Sequence, residues 1–354
     1  PGDATITVTV QDADGGTAST SFLLTVAAPP GANFVNTTPI TIRDANTASP
    51  YPSTITASGL QGTVNRVLVT LEGLSHTAPD DIDVLLVGPQ GQKMVLMSDA
   101  GGDFAVNNIR LRFQDGAPPL PDDGQIVPGN YMPSNYGADD SFPAPAPIRP
   151  YAAKLDTFKG TNPNGTWSLY VLDDAAGDSG QIAQGWALSI ETSPIIELAA
   201  GQPSLVTIQE DDTSTTINLR YRDPDSQTPD ADLELLSTSS NASLIPPSPN
   251  GAEITKTGGG NAVARIIPVK DANGTNVMSL IVRRKTDGAS SSVLVTNIVT
   301  PVNDPPAISR LTPKSTPENT ATTFVFLVSD VDNPLSDLSL EALSGNEDLI
   351  VRSN

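Results

Sequence analysis

The sequence predicts an all-β protein made of tandem β-sandwich modules, and two patterns together with one absence support this fold class. Apolar and polar residues alternate with a period of two over residues 4–10, 64–71, 215–221 and 322–328. Such alternation indicates strands with one buried face. Nowhere does an apolar spacing of three and four residues persist long enough to predict a helix.

Turn residues separate the predicted strands. Asn164-Gly165, Asn273-Gly274 and Asp287-Gly288 supply the positive φ angles that tight hairpins require. Residues 116–150 are rich in proline and show no periodicity. We therefore expect this stretch to form a large ordered surface loop.

The charge balance limits the classes of partner. Forty Asp and Glu against 19 Lys and Arg give a net charge of -21, which repels both nucleic-acid phosphates and anionic lipid headgroups. Carboxylates on loops are, however, the ligands that calcium prefers. We expect a calcium-binding protein with no nucleic-acid or membrane partner; the alternative is an acidic surface that only maintains solubility.

Cysteine and long apolar runs are both missing. Without cysteine the chain has neither disulfides nor thiolate metal sites. No run of about 18 apolar residues predicts a membrane span, and no basic-then-apolar leader is present. If the protein is exported, as we expect, the export signal lies outside this sequence.

An internal repeat sets the domain organisation. Residues 205–245 align with residues 311–350, with Asp223-Pro224-Asp225 opposite Asp330-Val331-Asp332, and residues 274–299 align with residues 2–26. The predicted domains are a C-terminal half-module over 1–29, a central unit over 30–193, a complete module over 194–301 and an N-terminal half-module over 302–354.

Half a sandwich leaves an apolar sheet face and unpaired strand edges exposed. Two explanations remain open. The sequence is a piece of a longer tandem array, or the two half-modules complete each other between successive copies along a filament. In both cases the expected partner is an identical or neighbouring module, arranged head to tail.

The central unit resembles the P domain of proprotein convertases. Three stretches carry the resemblance in this order: residues 74–91, residues 158–169, and residues 173–186. The resemblance implies a jelly-roll-type β-sandwich of the kind that follows subtilisin-like catalytic domains and also occurs alone in bacterial surface proteins.

The flanking repeats resemble bacterial cadherin-like or immunoglobulin-like modules through Asn303-Asp304-Pro305-Pro306, Pro317-Glu318-Asn319 and Asp330-Val331-Asp332. A cadherin-like arrangement implies calcium ions that stiffen the linker. Their ligands would be Asn303, Asp304, Glu318, Asp330 and Asp332. The first copy departs from this pattern, since no Asn-Asp-Pro-Pro precedes Ile195, so calcium is less expected at that earlier junction. Ordinary turn-forming residues are the alternative throughout.

A second calcium site is predicted in the central unit. Asp81 lies just before a predicted strand, and Asp99, Asp173 and Asp178 lie in glycine-containing loops, where a chain can wrap around a cation. These four acids are the predicted ligands. The alternative is that Asp173 and Asp174 only begin a hairpin turn and stay hydrated.

Catalysis is not expected. His76 is the single histidine, and the sequence has no cysteine and no Gly-x-Ser-x-Gly elbow, so the common nucleophilic arrangements cannot be built. We expect a structural role for His76. Trp167 and Trp186 lie in strand-like sequence and are expected in the core rather than in a sugar-binding site.

Aromatic residues of the long loop allow two interpretations. Tyr131, Tyr136, Phe142 and Tyr151 lie in or beside residues 116–150. They form an exposed recognition surface or pin the loop to the body of the domain, and we favour pinning.

These patterns predict a non-catalytic extracellular segment of a bacterial surface or filament protein with a structural or adhesive role. Calcium would stiffen its joints, the half-modules would allow end-to-end polymerisation, and a cell-surface or matrix ligand is a further candidate partner. The alternative function is an accessory P-domain region of a large secreted protease or other hydrolase.

Overall fold

The computed structural model describes residues 2–26, 31–137, 141–213, 215–225, 230–346 and 348–350. These residues form 24 strands and four short 3₁₀ turns, with no α-helix, which confirms the predicted all-β class. No helix among them is long and apolar enough to cross a lipid bilayer. The 3₁₀ turns are Pro79–Asp81, Leu155–Phe158, Asp230–Asp232 and Leu335–Asp337.

The chain divides into two compact units. The first contains Pro1–Glu197, Tyr221–Leu235 and Ile281–Ser292, and the second contains Leu198–Arg220, Leu236–Leu280 and Val293–Asn354. The predicted boundary between residues 29 and 30 lies outside the described residues, as does the end of the last predicted domain.

The chain begins with an isolated hairpin. β1 (Gly2–Gln11) and β2 (Thr17–Val26) pair in antiparallel register, from Gly2 opposite Val26 to Gln11 opposite Thr17. The carboxylate of Asp12 closes the turn by accepting the backbone N–H of Gly16 at 2.7 Å. One hairpin face carries Ile6, Val8, Val10 and Phe22, all of which are exposed to solvent.

Two sheets packed face to face build the central sandwich. Its strands are β3 (Ala32–Asn36), β4 (Ile40–Ile42), β5 (Ser53–Ala57), β6 (Val64–His76), β7 (Ile82–Val87), β8 (Lys93–Ser98), β9 (Val106–Phe113), β10 (Gly129–Tyr131), β11 (Ser134–Asn135), β12 (Gly165–Asp173), β13 (Gly180–Ile182) and β14 (Trp186–Thr192). The seven-stranded sheet has the order β10-β9-β6-β13-β4, with β14 pairing β6 and β3. The five-stranded sheet has the order β11-β8-β7-β12-β5.

Both tryptophans lie in the core between these sheets, as predicted. Trp167 and Trp186 are fully buried. Trp167 Nε1 donates to the Pro163 carbonyl at 3.0 Å, and Trp186 Nε1 donates to Ser53 Oγ at 3.0 Å. Each indole therefore fills the core while its only polar atom is satisfied.

The long loop folds back on the outer face of the five-stranded sheet. Phe142 is buried there with Leu85, Val95 and Tyr170, and Tyr151 packs against the same cluster. Pinning is therefore confirmed for Phe142 and Tyr151, as it is for Tyr131, which packs against the main core. Tyr136 remains exposed, and residues 138–140 of this loop lie outside the described part of the chain.

A second sandwich follows. Its strands are β15 (Ile195–Leu198), β16 (Leu205–Gln209), β17 (Thr216–Arg222), β18 (Leu233–Ser239), β19 (Ala252–Gly258), β20 (Asn261–Ile266), β21 (Gly274–Arg284) and β22 (Ser290–Thr300). They form two four-stranded sheets with the orders β15-β17-β20-β19 and β16-β22-β21-β18. β16 pairs with β22 in parallel, from Leu205 opposite Thr296 to Gln209 opposite Thr300.

The last stretch of the chain is sparsely structured. β23 (Ala307–Ile308) and β24 (Val328–Ser329) form one short antiparallel pair. Phe324 is 45% exposed, whereas Ile217, its counterpart in the internal repeat, is 1% exposed. The apolar residues of this copy thus lack the cover that the complete copy provides.

Candidate metal centre

Three aspartates converge in the second unit. Asp211, Asp271 and Asp304 each place one carboxylate oxygen within 4.8 Å of the others, and Asp271 and Asp304 are half-buried. Carboxylates repel one another at this range unless a cation or a proton intervenes. This cluster is therefore the candidate metal centre.

Loops at one end of the second sandwich position the three carboxylates. Asp211 lies just after β16 with φ 68°, and Asp271 lies in the turn before β21 with φ 57°. Aspartate tolerates this left-handed region better than most residues. The two loops are tied together because Asp211 Oδ1 accepts the backbone N–H of Asp271 at 3.3 Å.

Glu210 ties together the segments that carry the acids of the centre. This residue is buried, and its Oε1 accepts the backbone N–H of Val302 at 2.8 Å while its Oε2 accepts from Asn273 Nδ2 at 3.3 Å. Its own N–H donates to the Thr300 carbonyl at 2.9 Å. Glu210 thereby holds the start of the Asp304 segment next to the turn that carries Asp271.

The electrostatics of the centre favour a cation. Desolvation raises the pKa of Asp304, and Asp271, Asp211 and Asp332 raise it further against the opposing effect of Lys270. Lys270 Nζ lies 2.5 Å from Asp271 Oδ1, so one positive charge partly balances three carboxylates. Asp304 Oδ2 is inaccessible to solvent and has no hydrogen-bond partner among the described residues.

An oxygen-only set of this kind fits a hard divalent ion. Calcium takes six to eight oxygen ligands from carboxylates, carbonyls and water, whereas zinc prefers nitrogen and sulfur. Three carboxylates on loops, with one oxygen that has no partner in the part of the chain that the structure describes, fit calcium.

The calcium ligands predicted for the linker between the complete module and the last half-module are only partly brought together. Asp332 contacts the centre, since its Oδ2 accepts the backbone N–H of Asp304 at 2.6 Å. Asp330 lies in the same turn and accepts N–H bonds from Asn333 and Asp332, which lower its pKa. Asn303 lies within 3.5 Å of Asn333.

Glu318 stands apart from this group of residues. It belongs to the exposed stretch 311–320 and is not one of the three converging acids. The repeat explains its position, because Glu318 is the counterpart of Asp211 in the next copy. Asp211 lies at the end of its copy that is followed by Asp304, so Glu318 would lie at the corresponding end of the next copy.

Sequence reasoning missed Asp211, Asp271 and Glu210 as members of the centre. The repeat alignment contained a signal for Asp211, which lies opposite the predicted ligand Glu318. For Asp271 the only local signal was its place beside the Asn273-Gly274 turn. Its proximity to Asp304 arises from tertiary packing alone.

In the central sandwich three of the four predicted ligands influence one another electrostatically, but among the described residues they are not a group whose carboxylates lie close enough together to hold a metal ion. Burial raises the pKa of Asp81 to about 6, with further contributions from the carboxylates of Asp173 and Asp178. Asp99 contributes instead to the raised pKa of Asp80, which is due first to burial. Ser98 Oγ lies 3.2 Å from Asp99 Oδ2.

His76 is part of the scaffold around these acids. The ring is buried, with Nε2 3.1 Å from Asp173 Oδ2 and Nδ1 2.8 Å from the Ala78 carbonyl. Asp173 Oδ1 also accepts the backbone N–H of Ala45 at 3.1 Å. Both ring nitrogens are occupied by contacts within the fold, which leaves neither for a substrate.

Comparisons with known proteins give one related sequence and several structures of low similarity. No family model matches the chain. The transglutaminase-activating metalloprotease of Streptomyces mobaraensis is 30% identical over 185 residues, which cover 52% of this chain and 18% of that protein.

Two solved structures are similar at 13% identity. The Ig1-2 module of the Drosophila receptor protein tyrosine phosphatase DLAR covers 33% of this chain and 56% of its own, with a TM-score of 0.22. The serine protease of Aeromonas sobria covers 52% and 36%, with a TM-score of 0.23. The chain thus spans less than a fifth of the length of its metalloprotease relative.

Proposed function

We propose that this chain is a non-catalytic, extracellular β-sandwich region of a secreted protease or other hydrolase, in which calcium stiffens the joint around Asp304. The convergence of Asp211, Asp271 and Asp304, with one buried oxygen that has no partner among the residues described, carries the proposal. A ligand that binds only the folded state at 100 times its Kd stabilises that state by about 2.7 kcal/mol. Calcium would therefore act mechanically, by restricting the segment that follows β22.

Two observations support an accessory role beside a catalytic domain. The relative of known activity is a metalloprotease, and the alignment covers only 18% of it, so most of that protein lies outside the shared region. In this chain the single histidine is buried and engaged by Asp173 and Ala78. The common triad chemistry thus lacks a base here.

Finer assignments belong to the same proposal. The motifs in residues 74–91, 158–169 and 173–186 support a P-domain-like central sandwich, and the Asp-x-Asp turns support cadherin-like modules after it. Such modules would space the catalytic part from a surface or from a substrate.

Calorimetry with and without calcium tests the metal centre, with Asp304→Asn and Glu318→Gln as a matched pair. Wild-type and Glu318→Gln protein should melt higher in calcium than in EDTA, whereas Asp304→Asn should show no such difference. In EDTA, Asp304→Asn should be at least as stable as wild type, because it removes one of the mutually repelling carboxylates. Equal calcium responses in all three proteins would contradict the proposed ligand set.

A structural or adhesive role through self-assembly is the second candidate, because the β1–β2 hairpin exposes an apolar face. Ile6, Val8, Val10 and Phe22 are 37% to 67% exposed on that face. The opposite face is polar, with Thr7 Oγ1 2.8 Å from Ser21 Oγ. An identical or neighbouring module packed on the apolar face would give head-to-tail assembly.

Sedimentation velocity over a range of concentrations tests this second candidate. Wild-type protein should form larger species as the concentration rises. Val8→Lys, on the apolar face, should remain monomeric, while Thr7→Lys, on the polar face of the same strand, should assemble as wild type does. A wild-type chain that stays monomeric throughout would exclude assembly through this hairpin.

A further inference from the structure

Arg284 lies buried at the centre of a second group of acids, within the first unit. Its side chain is 4% exposed, and its Nε donates to Asp223 Oδ2 at 2.8 Å. Nη1 contacts Glu191 and lies 3.2 Å from Asp287 Oδ2. Nη2 donates to the Thr192 carbonyl at 2.6 Å and lies 3.5 Å from Asp225 Oδ2.

These contacts join three segments that are distant in sequence. Glu191 and Thr192 end β14 of the central sandwich, Asp223 and Asp225 form the turn after β17, and Arg284 ends β21. The first two segments are also linked directly, because Asp225 accepts the N–H of Thr192 at 3.0 Å and its hydroxyl at 3.2 Å. The guanidinium therefore lies where the central sandwich meets the near end of the next module.

The same pattern of hydrogen bonds from backbone N–H groups to paired acids, here called the backbone frame, occurs at the later joint, the linker around Asp304. In the repeat, Asp223 and Asp225 correspond to Asp330 and Asp332. The first acid of each pair accepts the N–H of the second, at 3.2 Å and 2.9 Å. The second acid accepts an N–H from the preceding segment, from Thr192 at 3.0 Å and from Asp304 at 2.6 Å.

The two joints differ in the charged groups that lie beside this backbone frame. At the later joint, Asp304 itself belongs to a cluster of three carboxylates. At the earlier joint a guanidinium carries the positive charge, and burial is outweighed by Asp223, Asp287 and Glu191, so that the pKa of Arg284 is raised. Arginine is charged at any physiological pH and presents donors in a rigid fork that matches carboxylates.

We infer that Arg284 takes the place of a metal ion at the earlier joint, so that this joint needs no divalent cation. The contrast with the later joint rests on the proposed calcium centre, whereas the arginine joint rests on its own contacts. One chain would then combine a permanently locked joint with a joint whose stiffness depends on calcium.

Four acids and two arginines meet at the earlier joint. Glu191, Asp223, Asp225 and Asp287 surround Arg284, and Arg66 adds a second positive charge through Glu191 Oε2 at 2.7 Å. Without Arg284, three of these acids would be more than nine-tenths buried with one arginine left nearby. Four carboxylates and the Thr192 carbonyl are then the kind of oxygen set that calcium binds.

Hydrogen–deuterium exchange on the whole chain tests the inference without any substitution. Peptides that contain Thr192, and peptides that extend to Asp225, should each exchange as fast in calcium as in EDTA. Peptides covering Val302 and Asp304 should exchange about tenfold faster in EDTA if the calcium joint exists. Faster exchange at Thr192 on chelation would overturn the arginine joint, whereas no change at Asp304 would overturn only the calcium joint.

Arg284→Met and Arg283→Met form a matched pair for the substitution itself. Arg283 is the neighbouring residue, is half-exposed and pairs with Glu234. In EDTA, Arg284→Met should lose protection at Thr192, and added calcium should restore it, while Arg283→Met should behave as wild type. Loss without recovery in calcium would refute the replacement of a metal. Unchanged protection of β6 and β12 peptides shows that the variant is folded.

Discussion

Replacing Asp173 tests the buried pair that it forms with His76. Alanine at this position removes the acceptor 3.1 Å from His76 Nε2. The Ala45 N–H loses one partner but keeps the Ala175 carbonyl at 3.2 Å. A neutral imidazole with its proton on Nδ1 can bond the Ala78 carbonyl at 2.8 Å, although Nδ1 then no longer accepts the Ala78 N–H at 3.3 Å. One buried ring nitrogen is then left without a partner.

The difference in stability between the alanine and asparagine variants follows from that ring nitrogen, because the 3.3 Å contact of the Ala78 N–H with Nδ1 is lost in both. A buried unsatisfied polar group costs about 1–3 kcal/mol, so Asp173→Ala should destabilise the central sandwich by about 2 kcal/mol. Asparagine should cost less than about 1 kcal/mol, because its Nδ2 can donate to Nε2 of the other tautomer while its Oδ1 still accepts from Ala45. The order of stability should therefore be wild type, asparagine, alanine.

Urea unfolding followed by tryptophan fluorescence measures this difference. The chain has two tryptophans, and both lie in the core of the central sandwich, so the signal reports on that domain alone. With a slope of about 2 kcal/mol per molar urea, alanine should lower the midpoint by about 1 M. An asparagine variant as unstable as the alanine variant would refute the tautomer exchange.

Two further predictions concern the central sandwich. With EDTA present, raising the pH through about 6 should destabilise the central sandwich. The pKa of Asp81 is raised to about 6 in the folded state, so protonated Asp81 stabilises the fold fully only below the ordinary aspartate pKa, and this stabilisation is lost as the pH rises through about 6. Allowing for solvent screening, the loss is about 1 kcal/mol, measurable as a fall in the urea midpoint that Asp81→Asn abolishes. Phe142→Ala should release the loop at a local cost of about 3 kcal/mol, detected as faster proteolysis within residues 141–151; Tyr136→Ala, at an exposed site, should not accelerate it.

The sequence predicted most of what depends on local pattern. Period-two alternation identified the strands over residues 4–10, 64–71 and 215–221, whereas the strand predicted over 322–328 is wrong, since only Val328 of that stretch is in a strand. The core placement of Trp167 and Trp186 followed from their strand context. The repeat identified the Asp-x-Asp turns of both joints and, through Glu318, contained the position of Asp211. These features are readable because each is set by neighbouring residues or by comparison of one copy with another.

The remaining features depend on contacts between distant segments. Asp271 reaches Asp304 only because the turn before β21 lies beside the segment after β22. Arg284 had no local signature, since an arginine at the end of a strand is normally exposed. Its burial is set by four acids from three separate segments, and no periodicity reports such a meeting.

The parallel pairing of β16 with β22 has a consequence for force. β22 is the last strand of the complete module, and β16 follows its short first strand β15; five residue pairs join β16 and β22 in register. Once β15 has detached, a pull on the chain before and after the module acts along β16 and β22 in opposite directions. The hydrogen bonds between the two strands, which are evenly spaced in a parallel pair, are then all loaded in shear at the same time. A hairpin pulled from its open end would instead unzip one bond at a time. The module is thus built to resist stretching along the chain better than peeling across it.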